Sequence, residues 1–143
     1  MRPKQEESFG VIPLSKARKG WQVFLIQHKH GKYWGFPKGH AEPTETPQEA
    51  ALRELKEETN LELIRYVVEE PLIEQYRFMW EGQRIFKRVY YYIAEVAGEV
   101  QLQKNEIQDG KWVPFAEAMD QVTHPEGKAL VAEVAKILAK ESA

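Results

Sequence analysis

The sequence predicts an α/β (α+β) domain, a mixed β-sheet sandwiched between helices. Three observations carry this expectation. Segments rich in β-branched and aromatic residues open the chain, one strongly capped helix interrupts them, and a second amphipathic helix follows the later strands. With 143 residues, 43% of them apolar, the chain reads as one domain over 1–143; such a length buries roughly two-thirds of its unfolded surface. There is no internal repeat, low-complexity tract or linker-like change of composition.

Taken in order, Ser8–Leu14 and Trp21–His28 read as strands, with Ser15–Gly20 a short basic turn between them. The stretch His30–His40 holds Gly31, Gly35, Pro37 and Gly39, which break regular structure, so it reads mostly as loop. Thr46-Pro47-Gln48-Glu49 is a helix start: Thr46 caps, Pro47 spends its missing N–H at the first helical position, and Glu49 closes a capping box. The helix runs from about Pro47 to Thr59 and stops at Asn60, which tolerates the left-handed conformation. Strands follow at Glu62–Val68, Leu72–Trp80 and Arg84–Val96, with Glu81-Gly82 as a hairpin turn. Short extended pieces are expected at Glu99–Leu102 and Lys111–Val113, then a short helix over Pro114–Val122. The last helix spans about Glu126 to Lys140, with Leu130, Val134, Ile137 and Leu138 as its buried stripe.

Composition narrows the function classes. Basic and acidic residues nearly balance, 20 against 22 for a net charge of -2, so the broad basic excess of a non-specific nucleic-acid binder is missing. With no cysteine, the chain has no disulfide, thiol nucleophile or cysteine-ligated metal. The N-terminal Met-Arg-Pro-Lys-Gln-Glu-Glu lacks the apolar core of a signal peptide, and no apolar run is long enough to span a bilayer. The expectation is a soluble cytoplasmic protein with no membrane partner.

The chemistry concentrates in Arg53-Glu54-Leu55-Lys56-Glu57-Glu58. Residues three and four apart share a helix face, so Glu54, Glu57 and Glu58 converge, while Ala51, Leu52, Leu55 and Thr59 form the adjoining packing side. Convergent carboxylates repel one another unless water and nearby cations solvate them or a hard divalent ion, Mg²⁺ or Mn²⁺ by ligand type, holds them together. The preceding loop, Gly35-Phe36-Pro37-Lys38-Gly39-His40, favours the second reading. It sets glycine, lysine and histidine beside the carboxylates, as a phosphate or pyrophosphate substrate requires.

Gly39, Glu45, Arg53-Glu54-Leu55, Glu57-Glu58 and Leu61 stand at the spacing of the Nudix box, Gly-x5-Glu-x7-Arg-Glu-U-x-Glu-Glu-x-Gly-U, where U is a bulky aliphatic residue. The sole departure is Asn60 in place of the second glycine, and asparagine accepts the same backbone. The sequence therefore resembles the Nudix hydrolases. That resemblance implies a metal-dependent enzyme that cleaves a nucleoside diphosphate linked to another group by water attack on phosphorus. It implies that Glu57 and Glu58 hold metal and that Glu54 is a ligand or helps activate water. It also implies that Arg53 organises the loop through Glu45 and that the Gly39 carbonyl completes the metal shell.

Within the family, Trp34 to Pro43 is similar to the Pro-Lys-Gly-His-x-Glu-Pro segment of the asymmetric dinucleoside tetraphosphatases, with Thr44 where glycine is usual. This similarity implies that Lys38 and His40 lie near phosphates. The segment Lys87 to Val96 resembles a strand carrying a phosphate-binding lysine, Lys87, and an adenine-stacking tyrosine, Tyr91. Glu106 to Trp112 resembles a segment whose glutamate, Glu106, reaches back to the metal. Tyr76 stands where dinucleoside polyphosphate hydrolases carry a tyrosine. The implied reaction is Mg²⁺-dependent cleavage of diadenosine tetraphosphate to ATP and AMP, with Glu106 or a helix glutamate taking the water's proton, by a monomer or homodimer.

Plainer readings stand beside these. Tyr76 is as well explained by cross-strand packing and Lys87 by an ordinary solvent-facing charge. Trp34 and Trp112 read first as packing residues, His28 and His30 as surface residues, and His124 as local structure or, from its loop, a residue lining the cleft. The rival functions are hydrolysis of another nucleotide (a nucleoside triphosphate, ADP-ribose or capped RNA) and a non-catalytic module that senses a nucleotide.

Overall fold

The structure is a computed structural model and describes residues 2–142. Its elements in order are β1 (Lys4–Ala17), β2 (Gly20–His28), β3 (Trp34–Gly35), β4 (Lys38–Gly39), α1 (Pro47–Thr59), β5 (Glu62–Tyr66), β6 (Leu72–Trp80), β7 (Gln83–Ala97), β8 (Ile107–Pro114), a 3₁₀ turn (Phe115–Glu117), α2 (Ala118–Gln121) and α3 (Pro125–Ser142). The strands form a mixed sheet in the order β3-β2-β1-β7-β5, with β4 also on β1, β6 on β7 and β8 on β2. The parallel pair is β1 with β7, running from Lys4 opposite Ile85 to Leu14 opposite Glu95. The remaining ladders are antiparallel.

Alternation along the central strands divides their side chains between two cores, as the period of two requires. One face carries Ile12, Leu14, Val23, Leu25, Val89, Tyr91 and Ile93 against Leu130, Val131, Val134 and Leu138 of α3. The other carries Phe9, Val11, Phe24, Ile26, Tyr92, Ala94 and Val96 against Ala50, Ala51 and Leu55 of α1. The sheet therefore lies between α1 and α3. The expected stripe on the last helix is present, with Val131 added and Ile137 only partly buried.

Helix α1 begins and ends where its capping residues require. The Thr46 N–H donates to Glu49 Oε1 at 2.8 Å and the Glu49 N–H to Thr46 Oγ1 at 3.2 Å, so both halves of the capping box are made. Asn60 takes φ 68°, and its N–H donates to the Lys56 carbonyl at 2.9 Å. The Asn60 amide adds a bond to the Glu99 carbonyl at 2.8 Å that a glycine could not make.

Some boundaries differ from the sequence expectation. The basic Ser15–Gly20 segment is not a turn throughout: β1 continues to Ala17 and β2 starts at Gly20, because Ser15 pairs with Gln22 and Lys16 with Trp21. Glu99–Leu102 is not a strand. Its neighbourhood caps α1 instead, the Gln101 N–H donating to the Thr59 carbonyl at 3.0 Å and the Gln103 N–H to the Glu58 carbonyl at 3.1 Å. These bonds satisfy orphan carbonyls of the last helical turn and bring the turn that bears Glu106 back toward that helix.

Candidate active site

Arg53 organises the loop in front of α1. Its Nε and Nη2 donate to the two Glu45 oxygens at 2.6 and 2.9 Å, a bidentate pair. Nη2 also donates to the His40 carbonyl at 2.9 Å, while Nη1 donates to Glu54 Oε1 at 2.9 Å and Glu57 Oε2 at 3.2 Å. One guanidinium thus joins the start of the box, the loop and two helix carboxylates, and it holds the Glu45 carboxyl below its usual range.

Glycine is required for reasons of space at Gly39 of this loop and at Gly10 of the adjoining strand β1. A Cβ on Gly39 would overlap the Glu54 carboxylate. On Gly10, which pairs with Lys38, it would meet Lys38 Cβ at 2.8 Å and Tyr91 at 2.9 Å. Either side chain would drive the loop away from the carboxylates.

Gly39, Glu54, Glu58 and Glu106 line one polar cavity of about 430 Å³, together with Lys38, His40, Lys87 and Arg53. Glu58 is buried, 4% exposed, and its Oε1 accepts a bond from the Lys38 N–H at 3.2 Å. Burial, with Glu54 as the next contributor, pushes the Glu58 carboxyl up to about 8. Burial raises Glu54 as well, against the pull of Arg53. Lys87, 6% exposed, is not the solvent-facing charge that a strand lysine ordinarily is. Burial and the neighbouring Lys38 lower its ammonium to about 8. His40 is exposed as a residue, but partial shielding of its ring from water, followed by the Lys87 charge, lowers it.

The donor chemistry fits a hard divalent cation: an all-oxygen set in which the buried Glu58 carboxylate makes no ion pair among the described residues. Glu54, Glu58, Glu106 and the Gly39 carbonyl are the groups that would hold it. Among the described residues no three acidic or histidine side chains are already drawn together into a metal cage. Glu57, on the exposed side of α1, is turned onto Arg53 and does not line the cavity.

A second cavity, of about 580 Å³, opens beside the first and is mainly aromatic. Tyr33, Trp34, Tyr76, Trp80 and Tyr91 line it. Tyr91 forms its floor: 3% exposed, it makes a T-shaped contact with Phe36 with ring centroids 5.5 Å apart. Tyr76 is half-buried and leans on Phe78 at 5.9 Å. As alternation requires, Tyr90 and Tyr92 lie on the opposite face of the sheet.

Several residues of the two cavities depart from the sequence expectation. His28 is not a surface residue. Its ring stacks on Tyr33 with centroids 4.4 Å apart, burial lowers it to about 4, and it lines both cavities. His124, which from its loop was expected either as local structure or in the cleft, does line the aromatic cavity and tilts toward the same Tyr33 ring at 5.0 Å. Ser8 lines the polar cavity and Glu74 the aromatic one, neither of them a candidate from the sequence. The signal for Glu74 was present, since it falls in phase with Leu72 and Tyr76 on the inward face of β6.

Comparison with known proteins agrees with this geometry. The NUDIX domain family model matches residues 4–134. A Mycobacterium tuberculosis relative named MutT4 is 36% identical over 104 residues, 71% of this chain, and the chain spans 40% of that relative's length. An asymmetrical bis(5'-nucleosyl)-tetraphosphatase of Rattus norvegicus is 33% identical over 116 residues, covering 78% of this chain and 77% of that protein. Among solved structures, a C. elegans Ap4A hydrolase binary complex superimposes with a TM-score of 0.71 at 24% identity, over 94% of this chain and 98% of that one. With the box geometry in place and the match running through nearly all of its residues, the chain belongs to the NUDIX domain family and is a Nudix hydrolase.

Proposed function

We propose that the protein hydrolyses dinucleoside polyphosphates, with diadenosine tetraphosphate as substrate and ATP and AMP as products. One observation carries this reading: the polar carboxylate cavity and the aromatic cavity adjoin and share Lys38 and His28. A ligand with a flat base at one end and a run of phosphates at the other matches that pair of surfaces. A base stacked on an aromatic ring gains ~1–3 kcal/mol irrespective of its identity. The likeness to the rat tetraphosphatase over more than three-quarters of this chain supports the same reading.

Lys38, Lys87 and His40 bind the polyphosphate, and Tyr76 with the Tyr91 floor holds one adenine. A divalent cation, Mg²⁺ or Mn²⁺, held by Glu54, Glu58, Glu106 and the Gly39 carbonyl, would offset phosphate charge and acidify water. Glu57 joins that set when its side chain leaves Arg53. Water oxygen forms the new bond to phosphorus, the bridging P–O bond breaks, and Glu106 or a helix glutamate takes the proton. Arg53 keeps the loop and helix carboxylates in register throughout. This reading places the protein in the cytoplasm. Among the described residues, no helix is long and apolar enough to cross a membrane.

The test is to incubate the protein with Mg²⁺ and diadenosine tetraphosphate and resolve the products, using Glu58→Gln as the control. ATP with AMP, lost in the variant, is the expected result. Two ADP, or no turnover by folded protein, contradicts the proposal.

A further inference from the structure

The aromatic cavity holds a charge that the reaction does not use. On β6, Leu72, Glu74 and Tyr76 alternate onto the inward face, opposite Tyr91, Val89 and Lys87 of β7. Glu74 is thus a carboxylate set into an otherwise apolar and aromatic stripe, and it lines the cavity with Tyr33, Tyr76 and Trp80. It makes no hydrogen bond or ion pair among the described residues. Glu126, in the first turn of α3, lines the same cavity, and its Oε2 is buried without a hydrogen-bond partner. Burial raises Glu74 to about 7, with Lys38 opposing and Glu126 adding to the effect.

An unpartnered carboxyl costs free energy that a ligand donor can recover. The surrounding rings select a flat ligand, and the carboxyl selects one whose edge carries N–H groups. We propose that Glu74 is the specificity-determining residue of the aromatic cavity, accepting a hydrogen bond from the exocyclic amine of the adenine stacked there. This rests on the reading of the cavity as a base site and names the edge of the base that it recognises. Stacking alone tolerates any base, so discrimination has to come from a polar group lining the cavity, and Glu74 stands two residues from Tyr76 on the same face of β6. Glutamine keeps an acceptor and pairs well with an adenine edge; leucine keeps the volume and removes the acceptor.

The experiment measures binding of AMP and of purine riboside 5'-monophosphate, which differs from AMP only in lacking the amine. Tryptophan fluorescence titration of the full chain serves for wild type, Glu74→Gln and Glu74→Leu. Wild type is expected to favour AMP by roughly tenfold, the worth of one hydrogen bond to a charged or strongly polar group. Glu74→Gln should retain most of that preference, and Glu74→Leu should abolish it while still binding both ligands through stacking. Equal affinity for the two ligands in wild type, a preference that survives in Glu74→Leu, or failure of wild type to bind either ligand overturns the proposal. Release of ATP and AMP from diadenosine tetraphosphate is scored separately, so the hydrolase reading survives or falls on its own result.

Discussion

Glu58→Gln should make the metal-free protein more stable at alkaline pH while removing its turnover. Glu58 is 4% exposed, and one backbone N–H, from Lys38 at 3.2 Å, is the hydrogen bond its carboxyl receives. Burial moves it from the usual 4.5 up to about 8. Between those values the native state holds a proton that the unfolded chain has lost, so stability falls as pH rises through that window. Each pH unit is worth 1.36 kcal/mol, which puts the full cost of ionising Glu58 in the fold on the order of 3–5 kcal/mol. Glutamine avoids that cost but leaves an amide imperfectly bonded, at about 1–3 kcal/mol. The net gain at about pH 8.5 is therefore roughly 2 kcal/mol, or a rise of about 4–8 °C in Tm for a chain of this size. At about pH 4.5, where the wild-type carboxyl is protonated, the variant should be equal or slightly less stable. Thermal melts by circular dichroism in EDTA at both values test this. A Tm difference that does not change with pH, or a variant less stable than wild type at the alkaline value, would refute the account of Glu58 as a destabilised, cation-seeking ligand.

Arg53→Lys should lower kcat by about tenfold or more with the fold intact, because a lysine cannot reproduce the bidentate Glu45 pair and the bonds to His40 and Glu54; steady-state kinetics beside a far-ultraviolet spectrum check it. Lys87→Met should raise KM by about tenfold through loss of a charge-assisted phosphate contact. Because Lys87 loses its proton near 8, wild-type KM should climb as pH rises through that value, whereas the variant's profile should be flatter there. Gly39→Ala should abolish turnover, since its methyl group occupies the Glu54 carboxylate's position, and a structure of the variant should show the loop displaced. Asn60→Ala should cost about 1–2 kcal/mol in urea unfolding, losing both a residue suited to φ 68° and the side-chain bond to Glu99.

What was legible in the sequence was what local chemistry determines. The bounds of α1 follow from Thr46, Pro47, Glu49 and Asn60, each acting on its own neighbours. The two-faced sheet follows from alternation, which separates Tyr91 from Tyr90 and Tyr92. Helical spacing places Glu54 and Glu58 on the loop side of α1. It does not determine where a flexible side chain points, and Glu57 turns onto Arg53. Features that depend on distant packing were not legible. His28 is buried because Tyr33, five residues on, folds back over it, and nothing in the local pattern shows that closure. Glu99–Leu102 has the composition of a strand, yet its backbone is claimed by the open carbonyls of α1. Lys87 has the same local signature as a surface lysine, and it is the long-range pairing of β7 with β1 on one side and β6 on the other that surrounds it.

In the proposed function, the carboxylate and aromatic cavities serve one substrate. This is tested most directly by kcat/KM for diadenosine tetraphosphate, ATP and ADP-ribose, measured side by side with Mg²⁺ in wild type and Tyr76→Ala. The highest value is expected for diadenosine tetraphosphate, yielding ATP and AMP, with a loss of about tenfold or more in the variant, the equivalent of one stacking contact. A higher value for ATP or ADP-ribose, or a preference for the tetraphosphate that Tyr76→Ala leaves untouched, would contradict it.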